Sequence, residues 1–203
     1  MGGIERVMHA AWDGHHELTS AIPFGVALTL LAFFAVFRSP YAVWCGTGLL
    51  VSAVLNVVLK HSICQPRPSS AARPGYGMPS HHSQFMAFAA AVVYVALPSA
   101  SHLPAATLRR RLVLVVLILA VLVVAHGRVA HGYHSWAQVV AGMMVGAGAG
   151  LIWASLYRCG GRAVVDAALV APLRNLGAWE FCSALDGTLV LDPTVAAIKF
   201  SSD

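Results

Sequence analysis

Residues 109–153 read RRRLVLVVLILAVLVVAHGRVAHGYHSWAQVVAGMMVGAGAGLIW, and this stretch decides the fold. Three arginines give way to an uncharged aliphatic run, a short turn rich in histidine follows, and a second uncharged run leads away. Crossing the hydrocarbon core of a bilayer, about 30 Å, takes roughly 17–25 apolar residues. Leu108–His126 and Ser135–Tyr157 are therefore two expected membrane spans, and the polar turn between them sits at a membrane edge.

Moving outward, three further apolar segments have comparable length: Ala21–Phe37, Tyr41–Leu59 and Ser80–Leu97. Breaks separate them, with RSPY at 38–41, a Pro-, Gly- and Ser-rich loop at 64–80, and LPSASHLP at 97–104. Hydrophobic residues make up 58% of the chain and charged ones only 10%. A soluble domain carries about a quarter charged residues, so lipid must cover much of this surface. The expected fold is all-α: a polytopic transmembrane helix bundle of about five spans, within a range of four to six. Residues 1–157 form its transmembrane domain with an N-terminal lead-in. Residues 158–203 are more polar and read as a cytosolic or interfacial tail, with a short helix over Arg162–Ala171. Glu5, Asp13 and Glu17 argue against a cleaved leader, so the first apolar segment is expected to stay in the membrane.

Threading five spans sorts the charges. One face receives Arg38, Arg109, Arg110, Arg111, Arg158, Arg162, Arg174 and Lys199, and the other Arg6, Lys60, Arg67, Arg73 and Arg128. The excess marks the first face as cytoplasmic. The other face, toward the lumen or the outside, gathers the ends of spans two and four and the starts of spans three and five. Cys64 is then separated from Cys159 and Cys182, and no intramolecular disulfide is expected. Neither a basic helix nor interleaved aromatics points to nucleic acid.

Three segments converge on that lumenal face: KHSICQPRP (60–68), PSHH (79–82) and GRVAHGYHSWAQ (127–138). Lys60, Arg67 and Arg128 are cations that suit phosphate oxygens, arginine through its planar fork. A cation at a membrane edge is costly unless it faces a polar cavity. Asn56, one turn before Lys60, could orient the ammonium. Ser80 is a candidate helix cap whose neighbouring N–H groups would add an anion cradle. No Asp or Glu lies between Glu17 and Asp166, so the carboxylates a hard metal needs are missing from this segment. A histidine must then supply the nucleophile for any phosphate chemistry, without metal or other cofactor.

These segments resemble the ordered signature KxxxxxxRP, PSGH and SRxxxxxHxxxD of the type 2 phosphatidic acid phosphatase superfamily, integral-membrane lipid phosphatases. The resemblance implies that residues 1–157 are a phosphatase domain. It implies that His134 is the nucleophile that becomes phosphohistidine and that His82 is the general acid. Lys60, Arg67 and Arg128 would hold the phosphoryl oxygens, Arg128 within the catalytic set, and Ser80 would donate a hydrogen bond. Three positions depart from the pattern. Gly127 replaces a serine, His81 replaces a glycine, and Gln138 replaces the aspartate expected to orient the nucleophile. An amide oxygen can still accept the Nδ1 proton of His134, but adds no charge. His81 is read as a supporting phosphate contact.

GMPSHHSQF (77–85), YHSWAQVVAG (133–142) and, more loosely, the tail WEFCSALDGTLVLDP (179–193) look like the dolichyldiphosphatase subfamily. Its members sit in the endoplasmic reticulum membrane with a lumenal site. They cleave dolichyl diphosphate to dolichyl phosphate and phosphate, recycling the lipid carrier of protein N-glycosylation. That implies a polyisoprenoid diphosphate substrate within surrounding membrane lipid, and leaves the oligomeric state open. The alternatives are another lipid phosphate (undecaprenyl diphosphate, phosphatidic acid, a sphingoid phosphate) or a small transporter built on the chain's histidines. His9, His15, His16, His61, His126 and His131 are read as surface or interfacial. Gly142, Gly146 and Gly150 form a small-residue stripe, suited to packing within one chain or, less simply, to dimerisation.

Overall fold

The structure is a computed structural model that describes residues 21–23, 25–28, 40–71, 74–96 and 104–172. Its helices are α1 (Pro40–Ile63), α2 (His81–Ala96), α3 (Pro104–Ala130), α4 (Trp136–Leu156) and the short α5 (Arg162–Val165), with π-helical turns at Tyr157–Gly161 and Asp166–Val170. Among the described residues extended pairing is limited to one isolated antiparallel bridge, Pro66 with Tyr76. Of the expected first span, residues 21–23 and 25–28 are helical; the rest lies outside the described residues. Arg6, His9, His15, His16, Arg38, Arg73, Arg174, Cys182 and Lys199 lie outside them too.

Among the described residues three helical stretches are long and apolar enough to cross a membrane: Pro40–Ile63, Thr107–Ala130 and Trp136–Val170. Their outward faces carry Leu50, Val54 and Val58 on α1, Val116, Leu119 and Leu122 on α3, and Met144 and Ile152 on α4. Apolar faces this continuous belong against lipid. This is a multi-pass membrane protein.

Of the expected third span, His81–Ala96 is helical, and residue 97 lies outside the described residues. α2 is the central helix, packed chiefly on α4 and flanked by α1 and α3, and it buries Gln84, Phe88 and Val92 almost completely.

The glycine stripe of α4 sets how close that packing is. A Cβ at Gly142 would lie 2.5 Å from the Ser80 carbonyl oxygen and one at Gly150 2.8 Å from that of Phe88; one at Gly146 would collide with the Gln84 carbonyl. The stripe is therefore spent on α2 inside the chain. Beneath it lies a core of Cys45, Leu49, Phe88, Val92 and Ala154.

Beyond Tyr157 the chain stays helical to residue 172. Gly160, at φ 138°, takes a conformation closed to other residues and bends the path. Gly161 then passes against the Trp44 ring, and Val165 and Val170 are buried. The stretch expected as a separate interfacial helix is thus joined to the last span without an intervening loop.

Candidate active site

The three sequence segments meet at one end of the bundle. The chain leaves α1 at Ile63 and folds back on itself, with Gly77 N donating to Gln65 O (2.8 Å) and Arg67 N to Gly75 O (3.1 Å). This narrow pairing returns Arg67 toward the end of α1 that carries Lys60. Ser80 N donates to Gln138 O (2.9 Å), which ties the start of α2 to the start of α4. His134 sits in the turn between α3 and α4, its N–H donating to Arg128 O (3.1 Å). Gly132, at φ 71°, makes that turn possible.

Gln138 joins all three segments. Its Nε2 donates to Pro66 O (2.8 Å), and its Oε1 lies 3.1 Å from His134 Nδ1. Because the amide nitrogen is committed to a carbonyl, the amide oxygen must face the imidazole. Nδ1 of His134 is then the protonated nitrogen and Nε2 carries the lone pair. The same side chain closes a capping box with Ser135 at the head of α4. Gly77 leaves room for it, since a Cβ there would overlap the Gln138 amide.

The charges are of one sign. Arg67, Arg128 and Lys60 all act electrostatically on His134, and Arg128, His81, His134 and Lys60 on His82. Burial holds the His134 imidazole down to about 4; the bond to Gln138 pulls the other way, and Arg67, Arg128 and Lys60 each add to the lowering. His134 is neutral at pH 7. Arg67 Nε is buried without a hydrogen-bond partner, a donor in position for an anion. Arg128 is only 8% exposed.

The remaining candidates fall into two groups. Ser80 is fully buried, and its Oγ accepts from the Ser83 hydroxyl (3.2 Å). Asn56, expected beside Lys60, instead directs its amide nitrogen to Pro79 O (3.2 Å) and Gln84 Oε1 (2.7 Å). Gln84 Nε2 in turn reaches Ser52 O and Oγ. This buried amide network holds the PSHH turn on α1. His81 and His82 diverge, with ring centroids 6.1 Å apart and planes at 89°. His81 is exposed and lines one end of an apolar cavity of about 590 Å³ with Ala42, Gly46, Leu50 and Phe85.

Three features of the site are not among those expected from the sequence. Ser135-x-x-Gln138 is a legible capping signature. Gln84 is visible in the sequence only as an amide inside an apolar run. Tyr133, whose ring centroid lies 4.3 Å from the Arg128 guanidinium carbon, gives no signal that sequence spacing could supply.

Comparison with known proteins accords with this arrangement. The chain is 32% identical over 160 residues to dolichyldiphosphatase of Saccharomyces cerevisiae (70% of this chain, 65% of that protein). It is 31% identical over 135 residues to dolichyldiphosphatase 1 of Dictyostelium discoideum (65% and 59%) and 34% over 115 to that of Homo sapiens (52% and 48%). It thus spans between about half and just under two thirds of these relatives' lengths. Its fold is similar to the transmembrane PAP2-type phosphatidylglycerolphosphate phosphatase of Bacillus subtilis (TM-score 0.58, 21% identity, 77% of this chain and 78% of that one). It is also similar to Aquifex aeolicus LpxE (TM-score 0.55, 20% identity, 72% and 85%). The profile of the PAP2 superfamily, the type 2 phosphatidic acid phosphatases, matches residues 41–160, and the chain belongs to that superfamily.

Proposed function

We propose that this protein hydrolyses dolichyl diphosphate to dolichyl phosphate and phosphate, at a site facing the lumen of the endoplasmic reticulum, and so recycles the lipid carrier of N-glycosylation. The observation that carries the reading is a neutral histidine, His134, set among Lys60, Arg67 and Arg128. The sequence offers no carboxylate between Glu17 and Asp166 to compete with an anionic substrate. The names of the relatives favour this substrate over other lipid phosphates, and the apolar cavity beside His81 suits a substrate whose far end is hydrocarbon.

The chemistry follows from the protonation states. Nε2 of His134 attacks the terminal phosphorus in line with the bridging oxygen. As the P–O bond breaks, His82, protonated in the complex with the anion, gives its proton to that oxygen, and dolichyl phosphate leaves. The cations stabilise charge on the equatorial oxygens, which is most of what phosphoryl transfer asks of a protein. Gln138 Oε1 holds the Nδ1 proton while phosphohistidine forms. Water, deprotonated by the now neutral His82, then attacks phosphorus and returns His134 with inorganic phosphate.

The test is phosphate release from the purified protein in liposomes, with dolichyl diphosphate and phosphatidic acid compared side by side. Faster turnover of dolichyl diphosphate, acid-labile phosphate trapped on His134, and its loss in His134→Ala are expected. Equal or faster turnover of phosphatidic acid would overturn the substrate assignment, and an active His134→Ala protein the mechanism.

A further inference from the structure

His81 stands on a boundary between two environments. On one side is charge: Lys60 acts electrostatically on its imidazole, and His81 in turn on His82. On the other side is hydrocarbon, because the same residue lines the apolar cavity with Phe85 and Ala53. Two buried bonds fix its level in the bundle, Asn56 Nδ2 to Pro79 O (3.2 Å) and Gln84 Nε2 to Ser52 O (2.8 Å). They hold the start of α2 against residues 52–56 of α1. From Ala53, Lys60 lies about 10 Å along α1 toward the site end, and Ala42, also in the cavity wall, about 16 Å the other way. A ligand that is anionic at one end and apolar at the other therefore changes character as it passes His81.

A lipid diphosphate has three parts in line: a terminal phosphoryl group, a second phosphoryl group and a tail. The nucleophile His134 places the first, and the cavity takes the last. We propose that His81 binds the second, lipid-proximal phosphoryl group, and so makes the site select diphosphates over monophosphates. The inference rests on the phosphatase reading and deepens it by assigning the substrate class. His82 and His81 divide the second group between them. His82 gives its proton to the bridging oxygen, while a ring N–H of His81 donates to an oxygen that takes no part in the reaction. The ring centroids are 6.1 Å apart with planes at 89°. One phosphoryl group that accepts a hydrogen bond of about 3 Å from each ring can span that separation. Glycine, which the superfamily signature has at this position, could not make the contact. A lipid monophosphate seated on His134 puts its ester and tail where the second group belongs. The His81 donor then faces apolar atoms, and a site built to hydrogen-bond a group discriminates against the analogue that lacks it.

The experiment measures binding to the purified full-length chain by calorimetry with two probes. Methylenediphosphonate carries two phosphoryl-like groups and no cleavable bridge, and orthophosphate carries one. The same proteins are assayed in liposomes for kcat/KM on dolichyl diphosphate and on phosphatidic acid. Each two-to-one phosphate ratio is taken within one preparation, so a misfolded fraction cancels. In His81→Ala and His81→Phe both ratios should fall about ten-fold, the lower end of what a hydrogen bond to a charged group contributes. His81→Gln keeps an N–H donor and should stay within about three-fold of the wild-type ratios. An unchanged ratio in His81→Ala, His81→Gln as impaired as His81→Phe, or a wild type that binds orthophosphate as tightly as methylenediphosphonate would overturn the proposal. Should the His81-dependent preference for methylenediphosphonate appear in a chain that hydrolyses no lipid phosphate, the proposed function fails and the subsite stands.

Discussion

The two ends of this bundle place arginine over tyrosine and do so to different ends. At the site end Arg128 stands 4.3 Å over Tyr133, buried, among Lys60, Arg67 and two histidines. At the other end Arg110 stands 4.7 Å over Tyr94, partly exposed, between Arg109 and Arg111. Near Tyr94, Arg158 donates to Val95 O (2.9 Å), and Trp44 and Trp153 stack at 4.6 Å. That end has the composition of a membrane-water interface, where aromatic rings and basic side chains anchor helices. The site end carries cations where their own hydration is restricted, and a bound phosphate would relieve that cost. Identical pairs thus differ in purpose through burial and through their neighbours.

The difference can be broken most sharply at the arginines themselves. Arg128→Ala should lower kcat/KM by about 10³-fold, as removing an arginine from a phosphoryl-transfer site does. Arg110→Ala should stay within about three-fold of wild type, as surface changes distant from the chemistry usually do. Steady-state kinetics in liposomes checks both. Comparable losses at the two positions would mean that the ends are not functionally distinct.

Gln138 gives the next largest effect. Gln138→Ala removes the acceptor on His134 and the donor on Pro66 O at once, and a loss of about 10²-fold is expected for a misoriented general base or nucleophile. Gln138→Glu separates the two. Because unprotonated His134 is the reactive form, the loss of kcat/KM that its protonation causes should come in the wild type only as pH falls through about 4. A carboxylate beside Nδ1 favours the imidazolium, so the acid limb of Gln138→Glu should move up toward neutrality. The shift is read against the wild type on the same substrate, which cancels titration of the lipid. An unmoved limb would show that Gln138 does not act through His134.

How much of this is legible in the sequence differs by kind of interaction. Long apolar runs betray spans because lipid demands length and composition, so α1, α3 and α4 are readable within a few residues at their site ends. Phosphate chemistry demands cations and a nucleophile, which draws attention to Lys60, Arg67, Arg128 and the histidines near them, and the resemblance to the superfamily signature is what selects His134. Asn56 shows what spacing misses. It lies one turn before Lys60, yet its amide is drawn to Pro79 and Gln84, because a buried amide goes wherever partners exist, across 23 and 28 residues of chain. Tyr133 is hidden for a similar reason, since a cation–π contact depends on the turn that folds the ring back. The continuation of helix beyond Tyr157 is hidden as well. Gly160 and polar residues after 157 suggest a stop, but π-helical turns carry the chain through the bend.

The α2–α4 seam lies between the two ends and sharpens the comparison through stability. Gly146→Ala forces a methyl group onto the Gln84 carbonyl, so the helices must separate along their closest contact. A loss of about 1–3 kcal/mol is expected from such overpacking. At Gly148 a Cβ meets nothing within 4 Å. Gly148→Ala should therefore gain up to ~1 kcal/mol from helix propensity alone. Thermal unfolding in detergent distinguishes them, and equal effects would mean that the stripe is not the packing surface.

The smallest effect belongs to the aromatic end. Trp44 Nε1 donates to Trp153 O (2.9 Å) and Trp153 Nε1 to Trp44 O (2.8 Å), so each indole satisfies the other's backbone carbonyl across α1 and α4. Trp44→Phe keeps a ring against Trp153 and Gly161 but removes one of the two donors. The expected cost is ~1 kcal/mol, the net worth of a single hydrogen bond. Because α1 and α4 also meet through α2 and the site loop, the loosening should not travel the length of the bundle. kcat/KM should stay within about two-fold, as expected for sites that share no partners. A large loss of activity with little loss of stability would reverse the assignment of roles, making the aromatic pair part of the working site rather than its distant anchor.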